Sequence, residues 1–296
     1  MIPARAKVNL TLEVLGRRPD GYHEISTVFQ SLSLQDKIWL RLLPEREIRL
    51  QCDHPALPTD GRNLAYRAAE LMMAEGYVGD RGVEVVIEKR IPVAAGLAGG
   101  SSDAAAVLVG LNALLGLGLP AARLRELGAL LGSDVPFCIT GGTALGTGRG
   151  ERLRFLPDLS AETFDVVLAT PPFEVSTRDV YSRWRPRCSA GACGMMVSAI
   201  ERRRWAALPS LLHNDLQEIV RERHPVIGHL IEAALEGGAQ GALMSGSGPT
   251  VFALVPAGDR RRTKEVTRQM GRYADLLWVC RPEGFVDPGT FMQGRD

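Results

Sequence analysis

The chain opens on a period of two. From Lys7 to Val14, Val8, Leu10, Leu12 and Val14 fall on one side and Lys7, Asn9, Thr11 and Glu13 on the other. That is the pattern of a half-buried strand, and it presents Lys7 and Asn9 side by side. Arg17-Arg18-Pro19-Asp20-Gly21 carries turn chemistry, so Tyr22 and His23 leave a tight bend and a strand follows from Ile25 to Leu32. Residues 36–51 hold two further short strands, and the polar stretch 52–60 reads as a loop. Asp60 is placed to cap a helix that takes in Asn63, Leu64, Tyr66 and Ala68 to Met73 before Gly76. Alternation returns at Val83, Val85, Ile87 and Lys89. The period then changes: Val107, Leu108, Leu111, Leu114 and Leu115 recur at helical spacing until Gly116, Gly118 and Pro120 stop the run. Ala121 to Leu131 makes a second amphipathic helix, closed by Gly132.

A new unit begins after the glycine-rich region around Arg149-Gly150-Glu151. It reads as a strand from Phe164 to Thr170, helices across 195–237, strands at 240–245 and 251–255, a helix to about 273 and a last strand from Leu276 to Cys280. We place the main boundary near 155, which gives units 1–155 and 156–296. Strands in runs, with helices mixed into both halves, indicate an α+β fold rather than a doubly wound sheet.

The chemistry gathers at the change of period. Ile91 to Ala106 follows a strand, holds Gly96, Gly99 and Gly100, and runs straight into the apolar helix. Glycines let backbone N–H groups approach a ligand, and the first turn of a helix adds unpaired N–H groups and the positive end of a dipole. Phosphate belongs in such a cradle. Ser101 and Ser102 are placed to cap the helix or donate to a phosphate oxygen. A loop that merely caps the helix is the plainer alternative. No Lys follows the glycines, and their spacing is not that of a dinucleotide fingerprint. Downstream, Ser133-Asp134 before Val135-Pro136 reads by default as a helix cap.

Composition removes some classes of function. The chain is 45% hydrophobic and 23% charged, with a formal net charge of +1, so it is globular and carries no broad field for nucleic acid or an anionic membrane. No stretch approaches the roughly 20 apolar residues of a membrane helix, and the N-terminus lacks a signal-peptide core. A cytoplasmic protein is expected. Its five cysteines include no CxxC pair, and Cys188 with Cys193 is not enough for a zinc site. Lysine stands only at positions 7, 37, 89 and 264 in an arginine-rich chain, which hints at places where a compact ammonium is needed.

The order Pro92, Gly96, Leu97, Ser101, Ser102, Ala104, Ala105 resembles the phosphate loop of the GHMP kinases. Further motifs resemble that family in the same order along the chain. Ala4-Arg5-Ala6-Lys7-Val8-Asn9-Leu10 is similar to the opening of one branch. Asp20-Gly21-Tyr22-His23-Glu24, with Phe29, is similar to the segment by which that branch grips cytosine. Asn63-Leu64 and Glu88-Lys89-Arg90 match positions around the adenosine of ATP. Gly132-Ser133-Asp134-Val135-Pro136-Phe137 matches the motif with the catalytic aspartate, and Met244 to Thr250 matches the third motif.

The resemblance implies a two-domain fold, with a mixed sheet and helices in the N-terminal domain and a ferredoxin-like α+β C-terminal domain whose final strand packs back on the first. It implies an ATP-dependent kinase acting on a small-molecule cytidine diphosphate alcohol. Lys7 and Asp134 would be catalytic. Asn63, Lys89, Pro92, Gly96, Leu97, Ala98, Gly99, Gly100, Ser101 and Ser102 would bind ATP, and Asn9, Tyr22, His23 and Phe29 the substrate. Mg²⁺ is expected, with no protein ligand assigned. A kinase for another small alcohol is the runner-up, and a degenerate binding module is the non-enzyme alternative. Arg5 stands where the branch has Pro. Ala98 replaces a common glycine and removes one option for positive φ. Asp179, Tyr181 and His213-Asn214-Asp215-Leu216 have family counterparts to which no chemistry is assigned.

Overall fold

The opening alternation is the centre of a longer strand, β1 (Ile2–Arg17), which pairs antiparallel with β2 (His23–Leu43). β2 is one strand of 21 residues rather than the several short ones expected from its sequence. The computed structural model describes residues 1–159, 163–186 and 191–289. After β2 come β3 (Ile48–Cys52), α1 (Leu64–Ala74), β4 (Gly82–Glu88), α2 (Gly99–Leu115), α3 (Ala121–Leu131), α4 (Val135–Thr140), β5 (Thr143–Gly148) and β6 (Arg152–Phe155). The second half holds β7 (Phe164–Thr170), α5 (Thr177–Arg183), α6 (Ala192–Glu201), a 3₁₀ segment (Trp205–Leu211), β8 (His213–Asn214), α7 (Gln217–Arg223) and α8 (Val226–Glu236). It continues through β9 (Gly241–Met244), β10 (Val251–Pro256), α9 (Arg260–Met270), β11 (Leu276–Cys280) and β12 (Pro282–Glu283).

β2 is the spine of the larger sheet. β1 lies along one edge, while β5, β12 and β4 follow one another along the other. The sheet is mixed, because β3 joins β4 in parallel and β8 joins β1 in parallel. The second sheet runs β11-β7-β10-β9 and is antiparallel throughout. With α9 crossing between β10 and β11, its order is that of the ferredoxin-like βαββαβ unit.

β1 is buried on both faces, not on one as its alternation indicates. Its apolar row, Ala6, Val8 and Leu10, packs with Val166, Leu168 and Phe252 of the second sheet and Met196 of α6. Its polar row is also covered, and each side chain is matched. Asn9 Nδ2 donates to Thr27 Oγ1 at 2.7 Å. The Glu13 carboxylate accepts the Ala192 and Cys193 amides at 3.1 and 3.0 Å, at the positive end of α6. Alternation reports which residues are apolar, whereas burial of a polar row depends on partners that arrive from elsewhere. The shared cluster crosses the boundary expected near 155, and β8 and β12 carry the second half into the first sheet.

Two local expectations change. Asn63, not Asp60, caps α1, while Asp60 is held by the Arg62 guanidinium. The stretch between Pro172 and residue 195, to which the sequence assigned no element, contains α5, which starts on a Ser176 hydroxyl that accepts from Asp179 N. Cys52, Cys138, Cys193 and Cys280 are free thiols, and Cys188 lies outside the described residues. No helix among the described residues is long and apolar enough to cross a membrane.

Candidate active site

Lys7 is 4% exposed, yet its ammonium is matched on every side. Nζ donates to Asn9 Oδ1 at 2.8 Å, lies 3.2 Å from Asp134 Oδ2, and sits 5.3 Å from the centroid of the Phe29 ring. β1 shifts register between Arg5 and Lys7 and again between Asn9 and Thr11, which re-aims this stretch within the sheet. Asp134 occupies the position before α4 but makes no side-chain cap bond. Its side chain remains 31% exposed and turns to Lys7. The default reading of Asp134 as a helix cap is therefore set aside. A carboxylate steadied by a buried ammonium and still open to a ligand can accept a proton from a hydroxyl.

The glycine loop lies directly beside this pair, and Lys7 N donates to Leu97 O at 3.1 Å. Ala98 takes φ of 59° and precedes α2, so the alanine adopts the left-handed conformation that its sequence argued against, as does Ala94 at 51°. α2 begins at Gly99, so the first N–H groups of a helix 17 residues long are presented by Gly99, Gly100 and Ser101. The opposite wall is the loop Ser245 to Pro249. A Cβ on Gly96 would run into the Ser245 carbonyl, which explains why no side chain stands there. Ser245 Oγ donates to Gly96 O at 3.0 Å, and Thr250 N to Ala95 O at 3.3 Å.

Several expected ligand residues act as braces instead. Ser102 is buried, and its hydroxyl donates to Arg5 O, so it does not cap α2. Lys89 lies beneath the loop, with Nζ 2.5 Å from Asp36 Oδ2 and 2.8 Å from Asp103 Oδ2, and is committed to those carboxylates rather than to a nucleotide. Asp36 also accepts the Arg90 and Ile91 amides at 2.5 and 2.8 Å, which fixes the entry to the loop. The amide of Asn63 is used at both ends, accepting from Ala65 N and donating to Pro58 O, each at 2.9 Å. Leu97 turns its side chain into the core, so only its backbone faces the site. Pro92, Gly96, Ala98, Gly99, Gly100 and Ser101 remain at the loop surface.

At the other end of the site Tyr22 is 54% exposed, with the Arg149 guanidinium 4.9 Å over its ring. His23 packs 5.2 Å from Tyr181 and 5.8 Å from Trp184. Burial, with the charge of Arg17 adding, pulls the His23 pKa below the ordinary histidine value, which leaves a neutral ring at pH 7. Phe29 is 1% exposed and stacks on Phe137 at 4.9 Å, so it forms the floor beneath Lys7 and not a face for a base. Tyr181 belongs to the same site: burial, and then the charges of Asp134 and Asp215, raise its pKa. Sequence reasoning left Tyr181 and Trp184 without a role. The signal that was present is the Ser176-x-x-Asp179 pattern at the start of α5.

The family model described as "GHMP kinases N terminal domain" matches residues 63–142, and "GHMP kinases C terminal" matches residues 196–274. The chain belongs to the GHMP kinase family, a family of small-molecule kinases that use ATP. Within that family, a relative from Synechococcus sp. (strain JA-3-3Ab) is 52% identical over 87% of this chain and 85% of its own length. A relative from Geobacillus kaustophilus is 49% identical over 96% and 97%. Both are named 4-diphosphocytidyl-2-C-methyl-D-erythritol kinase. A crystal structure of 4-(cytidine 5'-diphospho)-2C-methyl-D-erythritol kinase matches with a TM-score of 0.77 at 34% identity, over 95% of this chain and 98% of the other. A homoserine kinase from Cytophaga hutchinsonii matches at 0.73 with 20% identity over 95% of each chain, and so shares the fold.

Proposed function

We infer that this chain transfers the terminal phosphoryl group of ATP to the 2-hydroxyl of 4-diphosphocytidyl-2-C-methyl-D-erythritol, a step of the methylerythritol phosphate route to isoprenoid precursors. The observation that carries the reading is the Lys7–Asp134 pair, 3.2 Å apart, opening beside a glycine loop that leads into a helix N-terminus. Asp134 accepts the hydroxyl proton. Lys7 keeps that carboxylate ionised and offsets negative charge near the transferring group. The Gly99, Gly100 and Ser101 amides hold the phosphates, so positioning and electrostatics supply most of the acceleration, as phosphoryl transfer requires.

The substrate assignment rests on the names of the relatives and on the Tyr22–His23 end of the site. With Phe29 in the core, Tyr22 on the rim and Tyr181 beside His23 are the rings left to flank a cytosine. The neutral His23 ring is suited to hydrogen-bond the base edge. Asn9 is held between Lys7 and Thr27 and serves to orient Lys7. Mg²⁺ accompanies ATP and neutralises phosphate charge in such reactions. Among the described residues no three His, Cys, Asp or Glu side chains converge. Ser101 at the loop is the candidate hydroxyl to hold that cation. Four free thiols among the described residues fit a reducing, cytoplasmic setting.

ADP formation with a panel of alcohols tests the reading. Turnover with the cytidine diphosphate alcohol and none with mevalonate or homoserine, which carry no base, is the expected result. Equal turnover on either of those would remove the substrate assignment, and no ADP with any alcohol would remove the kinase.

A further inference from the structure

We propose that Asn214 is a positioning residue that holds the Ser245–Pro249 loop against the Lys7–Asn9 face of the site. The proposal rests on the kinase reading for its catalytic consequence and on geometry alone for its structural one. Asn214 is 8% exposed and uses its whole amide. Nδ2 donates to Met244 O and to Gly246 O, both at 2.8 Å, while Oδ1 accepts from Leu216 N at 2.9 Å. The backbone amide donor on Oδ1 settles which end of the side chain faces the loop.

Asn214 also sits in β8, where it lies opposite Leu12 of β1. Its neighbour Asp215 completes the clasp. Asp215 N donates to Leu12 O at 3.0 Å, and Asp215 Oδ2 accepts from Val14 N at 2.7 Å. The segment His213 to Asp215 is therefore fastened to the strand that carries Lys7 and, through Asn214, to the loop that faces it.

The loop reaches the reacting groups. A Cβ placed on Gly246 would stand 3.2 Å from Asn9 Oδ1 and 3.7 Å from Lys7 Nζ, and Gly246 holds φ of 56°. Gly246 O is one of the two carbonyls that Asn214 grips. Removing the grip leaves two buried carbonyls without this donor, and water or a shifted loop must replace it. The wall beside Lys7 and Gly96 then loses its single position, and a small misplacement of reacting groups is costly in rate.

The experiment uses the whole protein with Asn214→Ala and with Asn214→Asp, which keeps shape and removes both N–H donors at neutral pH. In each, kcat is expected to fall about 10- to 100-fold with the KM for the cytidine substrate within about 3-fold, because the Tyr22–His23 end is untouched. Hydrogen exchange at Gly248 N and Thr250 N is expected to quicken about 10-fold, while the α2 and α8 amides keep their protection. Asn214→Asp keeps the test available if the alanine variant does not fold. Wild-type kcat in a folded variant, or unchanged exchange in residues 245–250, overturns the proposal. A wild-type enzyme that turns over no alcohol defeats the kinase reading instead, and the exchange measurement still decides for or against the clasp.

Discussion

Asp134 stands where a helix cap would stand, and its carboxylate turns to a buried lysine instead. If it accepts the hydroxyl proton, Asp134→Asn will bind ATP and substrate within a few-fold of wild type and turn over roughly 10² to 10⁴ more slowly. Steady-state kinetics on the folded variant checks this, and near-normal turnover would return Asp134 to a structural role. Lys7→Arg is expected to stay equally impaired. Asn9 Oδ1, Asp134 and the Phe29 ring surround a compact ammonium, whose point charge a planar guanidinium with its fixed fork of donors does not reproduce. Tyr22→Ala belongs to the same scale. Losing one stacking ring at roughly 1 to 3 kcal/mol should raise the KM for the cytidine substrate about 5- to 150-fold and leave that for ATP nearly unchanged. A shift in the ATP value would place Tyr22 at the nucleotide.

The start of α2 is braced from below by one lysine shared between two carboxylates. Lys89 cannot neutralise both Asp36 and Asp103. Burial, with the charge of Asp36 adding to it and that of Lys89 opposing it, pushes the Asp103 carboxyl up to about 7. An unfolded aspartate titrates near 4, so between about pH 4 and 7 the folded chain binds the extra proton. The stability contributed by protonated Asp103 is therefore present at low pH and lost as pH rises through that window. Urea unfolding of wild type and Asp103→Asn across pH 4 to 8 should show wild type losing stability relative to the variant up to about pH 7 and no further. A difference that is flat with pH would mean that Asp103 is ionised throughout. The same element tolerates Ala98 at positive φ, a conformation that disfavours alanine by roughly 1 to 2 kcal/mol. On either side of it Leu97 is buried and the Ser102 hydroxyl is bonded to Arg5 O.

Across the molecule, the apolar row of β1 is shared with β7, β10 and α6, so one core spans residue 155, while a second, packed around α1 and α2, lies wholly in the first half. A chain of residues 1–155 alone would expose Ala6, Val8, Leu10, Val28 and Leu32. It is expected to bind hydrophobic dye and to lack dispersed amide resonances, while the full chain unfolds in one transition by fluorescence and circular dichroism alike. A well-dispersed spectrum from the fragment would show that the first half folds by itself.

Much of this was readable in one dimension. α2 and α3 end where their glycines end them, and β7 and β11 begin and stop where the apolar runs do, because caps and periodicity are written within a few residues of each other. The spacing of the glycine loop likewise pointed to a phosphate cradle, with a helix cap as the plainer alternative. What local sequence left open was the work of each polar side chain. Lys7 and Lys89 both follow strand patterns. One faces an open carboxylate and the other is locked between two buried ones, and the difference is made by Asp134, Asp36 and Asp103 arriving from other elements. Phe29 and Tyr22 are both aromatic rings near one turn, yet only packing against Phe137 takes Phe29 out of reach. Asp215 meets Val14 from 201 positions away. A hydrogen bond or ion pair between distant residues exists only once the chain has brought both partners together. Residue type and spacing therefore determined an α+β chain with a glycine loop leading into an apolar helix, and tertiary contact decided which polar side chains stay open at the site and which hold the others in place.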